Sequence, residues 1–354
     1  MRIGIPKEIK PLEGRVALVP AAAGELVAQG HEVFVEAGAG FASGYSDTEY
    51  KTTGAKILTD ATSLYGESEL IVKVKEPVGA EYDLLRPDHL LFSFLHLAAE
   101  NHLAKVLCTI GLTAVAFETV EVRGRLPLLA PMSDIAGRLA IHIGTTLLHQ
   151  HNDGRGILLG GLPAGERGHV VVLGAGAAGA NAVAVAAALG AQVTVFARSR
   201  ESLARMHAIG ANVTALPSHE SLRDAAVRDA DLLVGAVLVT GEAAPTLVSE
   251  ALVKTMRPGA VIVDIAVDQG GCVATTEPTT YANPTVLKHG VVHFGVTNMP
   301  AAVPRTASQA LSAALAPFVA RLAGEDGLAD PALASGINTR KGEIVHPAVK
   351  RALA

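Results

Sequence analysis

The stretch that decides the fold is residues 169–179, which read HVVVLGAGAAG. Its first half is apolar and typical of a buried strand, and the remainder fits the pattern GxGxxG. An alanine-rich helical segment at 180–190 and a second apolar segment ending at Phe196 follow it. A glycine pattern alone is common, but strand, glycines, helix and strand within ~30 residues indicate a Rossmann dinucleotide-binding domain.

Each residue of this glycine turn has an expected role. Gly174 permits the tight turn, Gly176 lets the main chain approach a pyrophosphate, and Gly179 brings helix and strand together. The free main-chain N–H groups where the helix starts, at Ala177 and Ala178, bind phosphate. The alternative is a glycine-rich turn in an alanine-rich core. We predict that all five residues contact the cofactor.

The rest of the chain alternates short β-branched segments with helical patterns, which is typical of βαβ units. Its 354 residues, 49% of them hydrophobic, are enough for two domains. We predict an α/β protein with two doubly wound domains and a cleft between them, connected by a helix over residues 132–150. The expected domains are residues 1–130 plus 301–354, a substrate/catalytic domain, and residues 131–300, the Rossmann domain. The predicted strands are 2–6, 32–36, 70–75, 90–96 and 113–120 in the first domain and 169–173, 192–196, 231–236, 260–267 and 291–296 in the second.

Composition argues against several classes of protein. A net charge of −5 without a long basic run lacks the footprint of a nucleic-acid-binding surface. Cys108 and Cys272 lie far apart without metal-ligand spacing, which predicts no metal site and no disulfide framework and fits a reducing compartment. The N-terminal MRIGIPKE has no signal-peptide core, and no apolar run reaches the ~20 residues of a membrane span. We therefore expect a cytoplasmic protein, without membrane or nucleic-acid partners, that acts on a small molecule.

Candidate site residues follow from the ends of the predicted strands. Doubly wound sheets bind ligands at the carboxyl ends of their strands. In the first domain these ends carry Lys75 and His96. In the second they carry Gly174, Ala197, Val237-Leu238, Asp268-Gln269 and Thr297-Asn298-Met299.

Eight segments in chain order give the sequence a specific resemblance. They are GIPKE (4–8), EGRVA (13–17), VKEP (74–77), FLHLA (94–98), APMS (130–133), GAGAAG (174–179), VDIAVDQGG (263–271) and TNMP (297–300). Together they resemble the alanine dehydrogenase family, which is related to the nucleotide-binding subunit of proton-translocating transhydrogenase. The resemblance implies reversible NAD(P)-dependent oxidative deamination of L-alanine to pyruvate and ammonia by a homo-oligomer, a hexamer.

The same resemblance implies roles for four residues. Arg15 and Lys75 hold the substrate's carboxylate and carbonyl oxygen, and His96 and Asp268 serve proton transfer. The chemistry agrees, because a guanidinium pairs bidentately with a carboxylate and an ammonium stabilises negative charge developing on oxygen. Histidine titrates near neutrality, so it can protonate and deprotonate the carbinolamine that links imine to ketone.

Each of these residues also has a plainer interpretation. Taken alone, Arg15 fits a solvated surface charge and Lys75 fits an ordinary residue at the end of a strand. His96, between two leucines, fits a hydrogen-bonded core histidine. Asp264 competes with Asp268, but only Asp268 is expected past the end of its strand, directly before Gln269 and two glycines. We therefore prefer Asp268.

The family pattern further places a set of residues near the adenine, ribose or nicotinamide of the cofactor. Ser133 has a second possible role as the N-cap of the helix predicted at 132–150, since serine is a favoured N-cap residue. The set comprises Ser133, Ser218, Val237, Leu238, Asp268, Val296, Asn298 and Met299.

The sequence departs from the NAD-binding pattern at the end of the second Rossmann strand. An NAD-selective domain has an acidic residue there, which accepts hydrogen bonds from ribose hydroxyls. Here Ala197 occupies the position, followed by Arg198, Ser199 and Arg200. Arginine is well suited to binding phosphate, so we expect NADP(H) to be accepted. The alternative is a solvated basic loop.

Two other functions remain compatible with the sequence. One is a family dehydrogenase or imine reductase for another amino acid or cyclic imine, because side-chain selectivity depends on pocket shape. The other is a nucleotide-binding module like that of transhydrogenase, which would not need the Lys75 and His96 pair.

Overall fold

The computed structural model describes residues 1–237, 244–325 and 327–353. They divide into two compact units, Met1–Met132 with Pro300–Ala354 and Ser133–Met299, called the outer-segment unit and the central unit below. Each contains one mainly parallel sheet accompanied by helices. The prediction of an α/β protein with two doubly wound domains is confirmed.

The elements are short and alternate along the chain. The strands are β1 (Arg2–Ile5), β2 (Glu32–Glu36), β3 (Lys56–Leu58), β4 (Leu70–Val72), β5 (Leu90–Ser93), β6 (Thr113–Ala116), β7 (His169–Leu173), β8 (Gln192–Ala197), β9 (Val213–Pro217), β10 (Leu232–Gly235), β11 (Val261–Asp264), β12 (Thr285–Lys288), β13 (Val291–Phe294), β14 (Ile337–Arg340) and β15 (Glu343–Ile344). The helices are α1 (Pro20–Ala28), α2 (Asp47–Thr52), α3 (Ala61–Glu67), α4 (Asn101–Ile110), α5 (Ala130–Leu147), α6 (Ala177–Ala188), α7 (Arg200–His207), α8 (Glu220–Arg228), α9 (Glu250–Val253), α10 (Pro304–Leu322), α11 (Pro331–Ser335) and α12 (Pro347–Leu353).

The two sheets share one strand order. The outer-segment sheet runs β15-β14-β6-β5-β4-β1-β2-β3, and the central sheet runs β12-β13-β11-β10-β7-β8-β9. In both, the first strand lies in the middle, the next two strands extend to one side, and the following strands extend to the other. This is the doubly wound order, and the strand order reverses between β1 and β4 in one sheet and between β7 and β10 in the other. Antiparallel pairing occurs only at one end of each of the two described sheets, where β12 pairs with β13 and where β14 pairs with β6 and β15.

The cores form around continuous apolar strands. Val170–Leu173 and Leu232–Val234 are fully buried, because strands of a parallel sheet covered on both faces need apolar side chains on both sides. Helix α6 lies against α5 at unusually short range, since a Cβ at Gly137 would lie 2.0 Å from the carbonyl oxygen of Ala178. The small residues of these helices therefore bring the start of α6 close to α5.

Several strands end earlier than the sequence predicted. The segments predicted as 70–75, 90–96 and 260–267 stop at Val72, Ser93 and Asp264. The N–H groups of Lys73 and Phe94 still donate to carbonyl oxygens of the neighbouring segment. Further along, the N–H groups of Val74, His96 and Ala266 donate to carboxylate side chains instead. Helix α5 starts at Ala130, so Ser133 lies inside its first turn and is not its N-cap residue.

Candidate active site

Three candidate residues follow three neighbouring parallel strands in the outer-segment unit. Arg15 comes after β1, Lys75 after β4 and His96 after β5, and β4 pairs with both of the other strands. The segments after these strands therefore leave the sheet at the same carboxyl edge. This edge includes the point where the strand order reverses, which is where doubly wound sheets bind ligands.

Arg15 is buried and held by a neighbouring carboxylate. Its side chain is 2% exposed, which excludes the interpretation as a solvated surface charge. Its Nε and Nη2 donate to Oε1 and Oε2 of Glu13 at 2.7 and 2.5 Å, and its Nη1 lies 3.1 Å from Sδ of Met132. The bidentate pair fixes the plane of the guanidinium. The adjacent Val16 N–H donates to Oγ of Ser308 on α10, which anchors the segment.

Lys75 is also buried beside a carboxylate. Its Nζ lies 3.2 Å from Oε2 of Glu76, and Nζ of Lys10 binds the other oxygen of the same carboxylate. Burial disfavours the charged carboxylate, but the Lys75 ammonium, with the hydrogen bond and charge of Lys10, lowers the pKa of Glu76 to about 2. Glu76 therefore stays ionised and keeps the Lys75 ammonium at this edge.

His96 lies in strained backbone that a third carboxylate holds in place. Its φ is 51°, in the left-handed region that histidine seldom adopts. The main-chain N–H groups of Leu95 and His96 donate to Glu118 at 3.3 and 2.7 Å. The His96 carbonyl accepts the N–H groups of Ala99 and Glu100. Both sides of the residue are thus fixed, and so is the direction in which its half-buried ring leaves the backbone.

A buried ionic network lies beneath the Lys75 segment. Glu8 accepts the N–H groups of Val74 and Lys75 at 2.6 and 3.4 Å. Nζ of Lys73 lies 3.4 Å from Glu8 and 2.9 Å from Glu81. Burial raises the pKa of Glu8, against the opposing effect of the Lys73 charge. The ion pairs of Lys73 and the hydrogen bonds to Glu8 thus hold the segment after β4 in place within the protein interior.

The glycine turn of the central unit has the geometry of a phosphate cradle. Gly174 has φ 103°, and a Cβ there would lie 2.4 Å from the carbonyl oxygen of Ala236. A Cβ at Gly179 would lie 1.9 Å from the carbonyl oxygen of Gly174, so α6 requires glycine at this point. A Cβ at Gly176 would meet no atom within 4 Å. The turn is therefore open above Gly176, where a pyrophosphate would approach the amides of Ala177 and Ala178, and it fits a dinucleotide.

The basic segment after β8 is exposed. Ala197 ends the strand with 7% exposure, and Arg198, Ser199 and Arg200 are exposed. Oγ of Ser199 caps α7 by accepting the N–H of Ser202 at 3.1 Å. Within residues 1–237, 244–325 and 327–353, no carboxylate forms an ion pair with Arg198 or Arg200.

The other predicted cofactor residues lie after strands of the central sheet or, for Ser133, in the first turn of α5. Val237 and Ser218 follow β10 and β9 and are half-buried, whereas Leu238 lies outside the described residues. Val296 and Met299 are buried, at 2% and 3% exposure, so neither presents an exposed side chain. Asn298 between them has φ 66°.

The two competing aspartates after β11 differ in environment. Asp264 is 1% exposed and accepts main-chain N–H groups from Ala266, Cys272 and Val273. Asp268 is exposed, in the 3-10 turn Ile265–Gln269. Of the two, only Asp268 has a side chain that a soluble ligand can reach.

Sequence reasoning missed the carboxylates that hold the candidate residues. Glu13 and Glu76 could have been noticed, since each lies within two residues of its cation in a quoted segment. Glu8 and Glu118 could not, because they are 67 and 22 residues from the amides of Lys75 and His96 that they bind.

The part of the chain that the structure describes contains no group of three or more His, Cys, Asp or Glu side chains arranged to hold a metal ion. None of its helices is both long and apolar enough to cross a membrane.

Two sheets have the Rossmann strand order; one carries an open glycine turn and the other carries cationic residues at its carboxyl edge. Together they define the fold of a nicotinamide-dependent oxidoreductase. The chain belongs to the alanine dehydrogenase/PNT family: the N-terminal domain model of that family matches residues 4–136 and its C-terminal domain model matches residues 140–347.

Individual relatives agree over the full length. The alanine dehydrogenase of Bacillus subtilis is 46% identical over 359 aligned positions, which cover 100% of this chain and 95% of the relative. A solved L-alanine dehydrogenase superposes with a TM-score of 0.95 at 49% identity, and the match covers both chains completely. The transhydrogenase of Sinorhizobium meliloti superposes with a TM-score of 0.85 at 26% identity, covering 98% of this chain and 100% of that one.

Proposed function

We propose that this protein is an alanine dehydrogenase, which converts L-alanine reversibly to pyruvate and ammonia with a nicotinamide cofactor. The observation that carries the proposal is the arrangement of Arg15, Lys75 and His96 after three adjacent parallel strands, at one edge of the sheet. The full-length similarity to alanine dehydrogenases supports it. In this proposal residues 1–130 plus 301–354 form the substrate/catalytic domain and residues 131–300 form the dinucleotide-binding domain.

Arg15 and Lys75 bind the oxo acid. The guanidinium of Arg15, oriented by Glu13, pairs with the substrate carboxylate. The ammonium of Lys75, kept in place by Glu76, donates to the carbonyl oxygen and stabilises the negative charge that develops on it. Because both cations are buried, their interactions with the substrate are screened weakly by water.

His96 and Asp268 move protons. His96 takes a proton from the carbinolamine hydroxyl as the ketone forms and returns it in the reverse direction. Its strained backbone, fixed by Glu118, sets the direction of the imidazole. Asp268, which is exposed after β11, accepts a proton from the ammonium group of alanine before hydride transfer. After water has added to the imine, Asp268 returns this proton to the nitrogen, which leaves as ammonia when the C–N bond of the carbinolamine breaks. The cofactor, when bound, supplies or accepts the hydride at the α-carbon.

The glycine turn and its neighbours bind the cofactor. Main-chain N–H groups at the start of α6, in the turn Gly174, Gly176, Ala177, Ala178 and Gly179, hold the pyrophosphate. The remaining contacts come from the segments after the other strands and from the start of α5, through Ser133, Ser218, Val237, Leu238, Val296, Asn298 and Met299.

NADP(H) is accepted alongside or in preference to NAD(H). Ala197 replaces the acidic residue that would repel a 2′-phosphate at this position, and the exposed guanidiniums of Arg198 and Arg200 can bind one. Ser199 contributes less to this phosphate, because its hydroxyl already caps α7 and donates to Oγ of Ser202 at 2.9 Å.

The coenzyme test compares kcat/KM for NADPH and NADH at one pH and one salt concentration. The wild type should not favour NADH by more than about tenfold, and Ala197→Asp should shift the preference toward NADH by repelling the phosphate. Ser202→Ala is the control, because it removes a hydroxyl from α7, the helix that follows Ala197, without adding a charge. A wild type with a stronger NADH preference would contradict the proposal.

The substrate test is a panel of amino and oxo acids with each coenzyme. Alanine, glycine, serine and lysine are tested for oxidation, and pyruvate and glyoxylate with ammonia for reduction. Turnover highest with alanine and pyruvate supports the proposal. Turnover with another amino acid or a cyclic imine identifies a different family dehydrogenase, and hydride exchange between coenzymes without amino-acid turnover identifies a transhydrogenase-like module.

The proposed assembly is a homo-hexamer in the cytoplasm, where the two free thiols, Cys108 and Cys272, remain reduced. Light scattering of the purified protein measures the mass directly. A mass near that of the 36.3 kDa chain would contradict the assembly.

A further inference from the structure

The loop after β11 is closed on itself by one buried carboxylate. Asp264, the last residue of β11, is 1% exposed and accepts four hydrogen bonds. Its Oδ1 accepts the N–H of Ala266 at 3.1 Å and the S–H of Cys272 at 3.6 Å. Its Oδ2 accepts the N–H groups of Cys272 and Val273 at 2.9 and 3.2 Å. The bonds join both ends of residues 265–273, the segment that carries Asp268.

The chain packs closely around the carboxylate of Asp264. A Cβ at Gly235, on the neighbouring strand β10, would lie 2.6 Å from both Oδ1 of Asp264 and Sγ of Cys272. Gly271 has φ 74°, and a Cβ there would lie 2.9 Å from Oδ2 of Asp264. The loop is thus folded tightly around the Asp264 side chain, with two glycines making the close approach possible.

The thiol of Cys272 belongs to the same arrangement. It is fully buried, and burial together with the Asp264 charge raises its pKa, so that it remains a protonated S–H donor. Buried thiols of raised pKa are chemically inert. Its accessibility therefore reports whether the loop is closed.

We propose that Asp264 is a positioning residue for the reaction: it closes the loop 265–273 and thereby fixes Asp268 in the position from which it transfers a proton. The inference rests on the proposed function through the role of Asp268. In this proposal the two aspartates of the segment VDIAVDQGG (263–271) have different roles, since Asp264 fixes the loop and Asp268 is exposed.

Asp264→Asn tests this inference with an unchanged side-chain shape. The amide must place its NH₂ where one of the two oxygens was. There the NH₂ faces N–H or S–H donors, from which it cannot accept a hydrogen bond. We expect kcat for pyruvate reduction to fall by about tenfold or more, whereas KM for pyruvate stays within about threefold because Arg15 and Lys75 are untouched. Asp231→Asn is the matched control. Asp231 is also buried and accepts the main-chain N–H of His169. It precedes β10, however, and therefore lies at the edge of the sheet opposite to the loop 265–273.

A double-mutant cycle separates positioning from a general loss of stability. If Asp264 acts through Asp268, then Asp264→Asn should cost little further kcat once Asp268→Asn is present. Additive losses, or a fall in kcat no larger than that of Asp231→Asn, would overturn the proposal.

Thiol labelling provides a readout that does not depend on activity. In a Cys108→Ser background Cys272 is the only thiol of the chain, and its rate of reaction with a disulfide reagent should rise about tenfold or more in Asp264→Asn. An equally protected thiol would overturn the proposal, even with a lowered kcat. If the wild type has no alanine dehydrogenase activity, the proposed function fails, and the labelling rate alone decides whether Asp264 closes the loop.

A second pair of variants covers the case in which Asp264→Asn does not fold. Cys272→Ser keeps a donor to Oδ1 of Asp264, and Cys272→Ala removes it. We expect the serine variant to retain kcat within about twofold and the alanine variant to lose several-fold more, since one of four donors is then missing. Equal kcat values for the two variants would overturn the proposal.

Discussion

The two sheets of this protein share a strand order but use the point where it reverses in different ways. After β7 the chain turns through Gly174 and Gly176 directly into α6, so the ligand-binding groups are main-chain amides. After β1 it passes through residues 6–19 without a helix before α1, and this segment supplies Glu8, Glu13 and Arg15. The same topology thus presents either backbone or side chains, depending on the segment that follows the first strand.

The two regions also differ in what holds them in place. At Gly174 and Gly179 of the glycine turn, carbonyl oxygens lie so close that a side chain is excluded. At the edge of the other sheet, Arg15, Lys75 and His96 are each held by a carboxylate, Glu13, Glu76 and Glu118. A diffuse phosphate is suited to a row of amides, whereas a small oxo acid undergoing proton transfer needs directed cationic and acid–base groups.

The largest expected effect comes from removing the acid–base group. His96→Ala should lower kcat by about 10²–10⁴-fold, because a positioned general acid or base contributes that much. Binding of reduced coenzyme, followed by its fluorescence, should change little, since His96 lies outside the glycine turn. A variant that keeps more than about a tenth of the wild-type kcat would show that His96 does not transfer the proton.

The next effect tests whether a carboxylate positions His96. Glu118→Ala should lower kcat by about 10- to 100-fold, because the strained backbone of His96 loses the acceptor of its N–H and the ring is displaced. Glu118→Gln, which keeps one acceptor oxygen, should recover part of the loss. Glu121→Ala removes an exposed carboxylate nearby and is the control. Equal kcat values for the two alanine variants would remove Glu118 from this role.

A pair of glycine substitutions sharpens the contrast on the other sheet. Gly176→Ala meets open space in the protein, so it should leave the Tm unchanged but weaken NADH binding by roughly tenfold, about 1.4 kcal/mol. Gly179→Ala places a methyl group 1.9 Å from a carbonyl oxygen and should lower the Tm. Calorimetry and coenzyme titration of both variants measure the two effects. The reverse pattern would contradict the cradle geometry.

The last effect concerns acid stability rather than activity. Because the pKa of Glu76 is lowered to about 2 in the folded protein, the carboxylate stabilises the fold above its unfolded-state pKa, and this stability is lost as the pH falls toward 2. Glu76→Gln should therefore lower the free energy of unfolding by about 3 kcal/mol at pH 7, at roughly 1.4 kcal/mol per pKa unit. Urea titrations should show the difference from wild type narrowing between about pH 5 and pH 2. A difference independent of pH would argue against the Lys10–Glu76–Lys75 arrangement.

The fold class, the turn Gly174–Gly179 and the apolar strands that precede the candidate residues could be predicted from the sequence alone. These features are local: a glycine pattern between a strand and a helix, and apolar runs of strand length, have few structural solutions. The strand His169–Leu173, for example, was predicted with the ends that the structure shows.

The ends of the strands and the contacts that fix the candidate residues depend on the folded chain, and they could not be predicted from the sequence. After β11 the N–H of Ala266 donates to the carboxylate of Asp264, and after β4 the N–H of Val74 donates to Glu8, which is 66 residues away. Folding also brings Pro300–Ala354, which the C-terminal family model includes up to residue 347, into one unit with Met1–Met132. Ion pairs and main-chain hydrogen bonds between distant residues leave no periodic pattern in a sequence. The candidate residues were therefore readable from the sequence, whereas distant supports such as Glu8 and Glu118 were not.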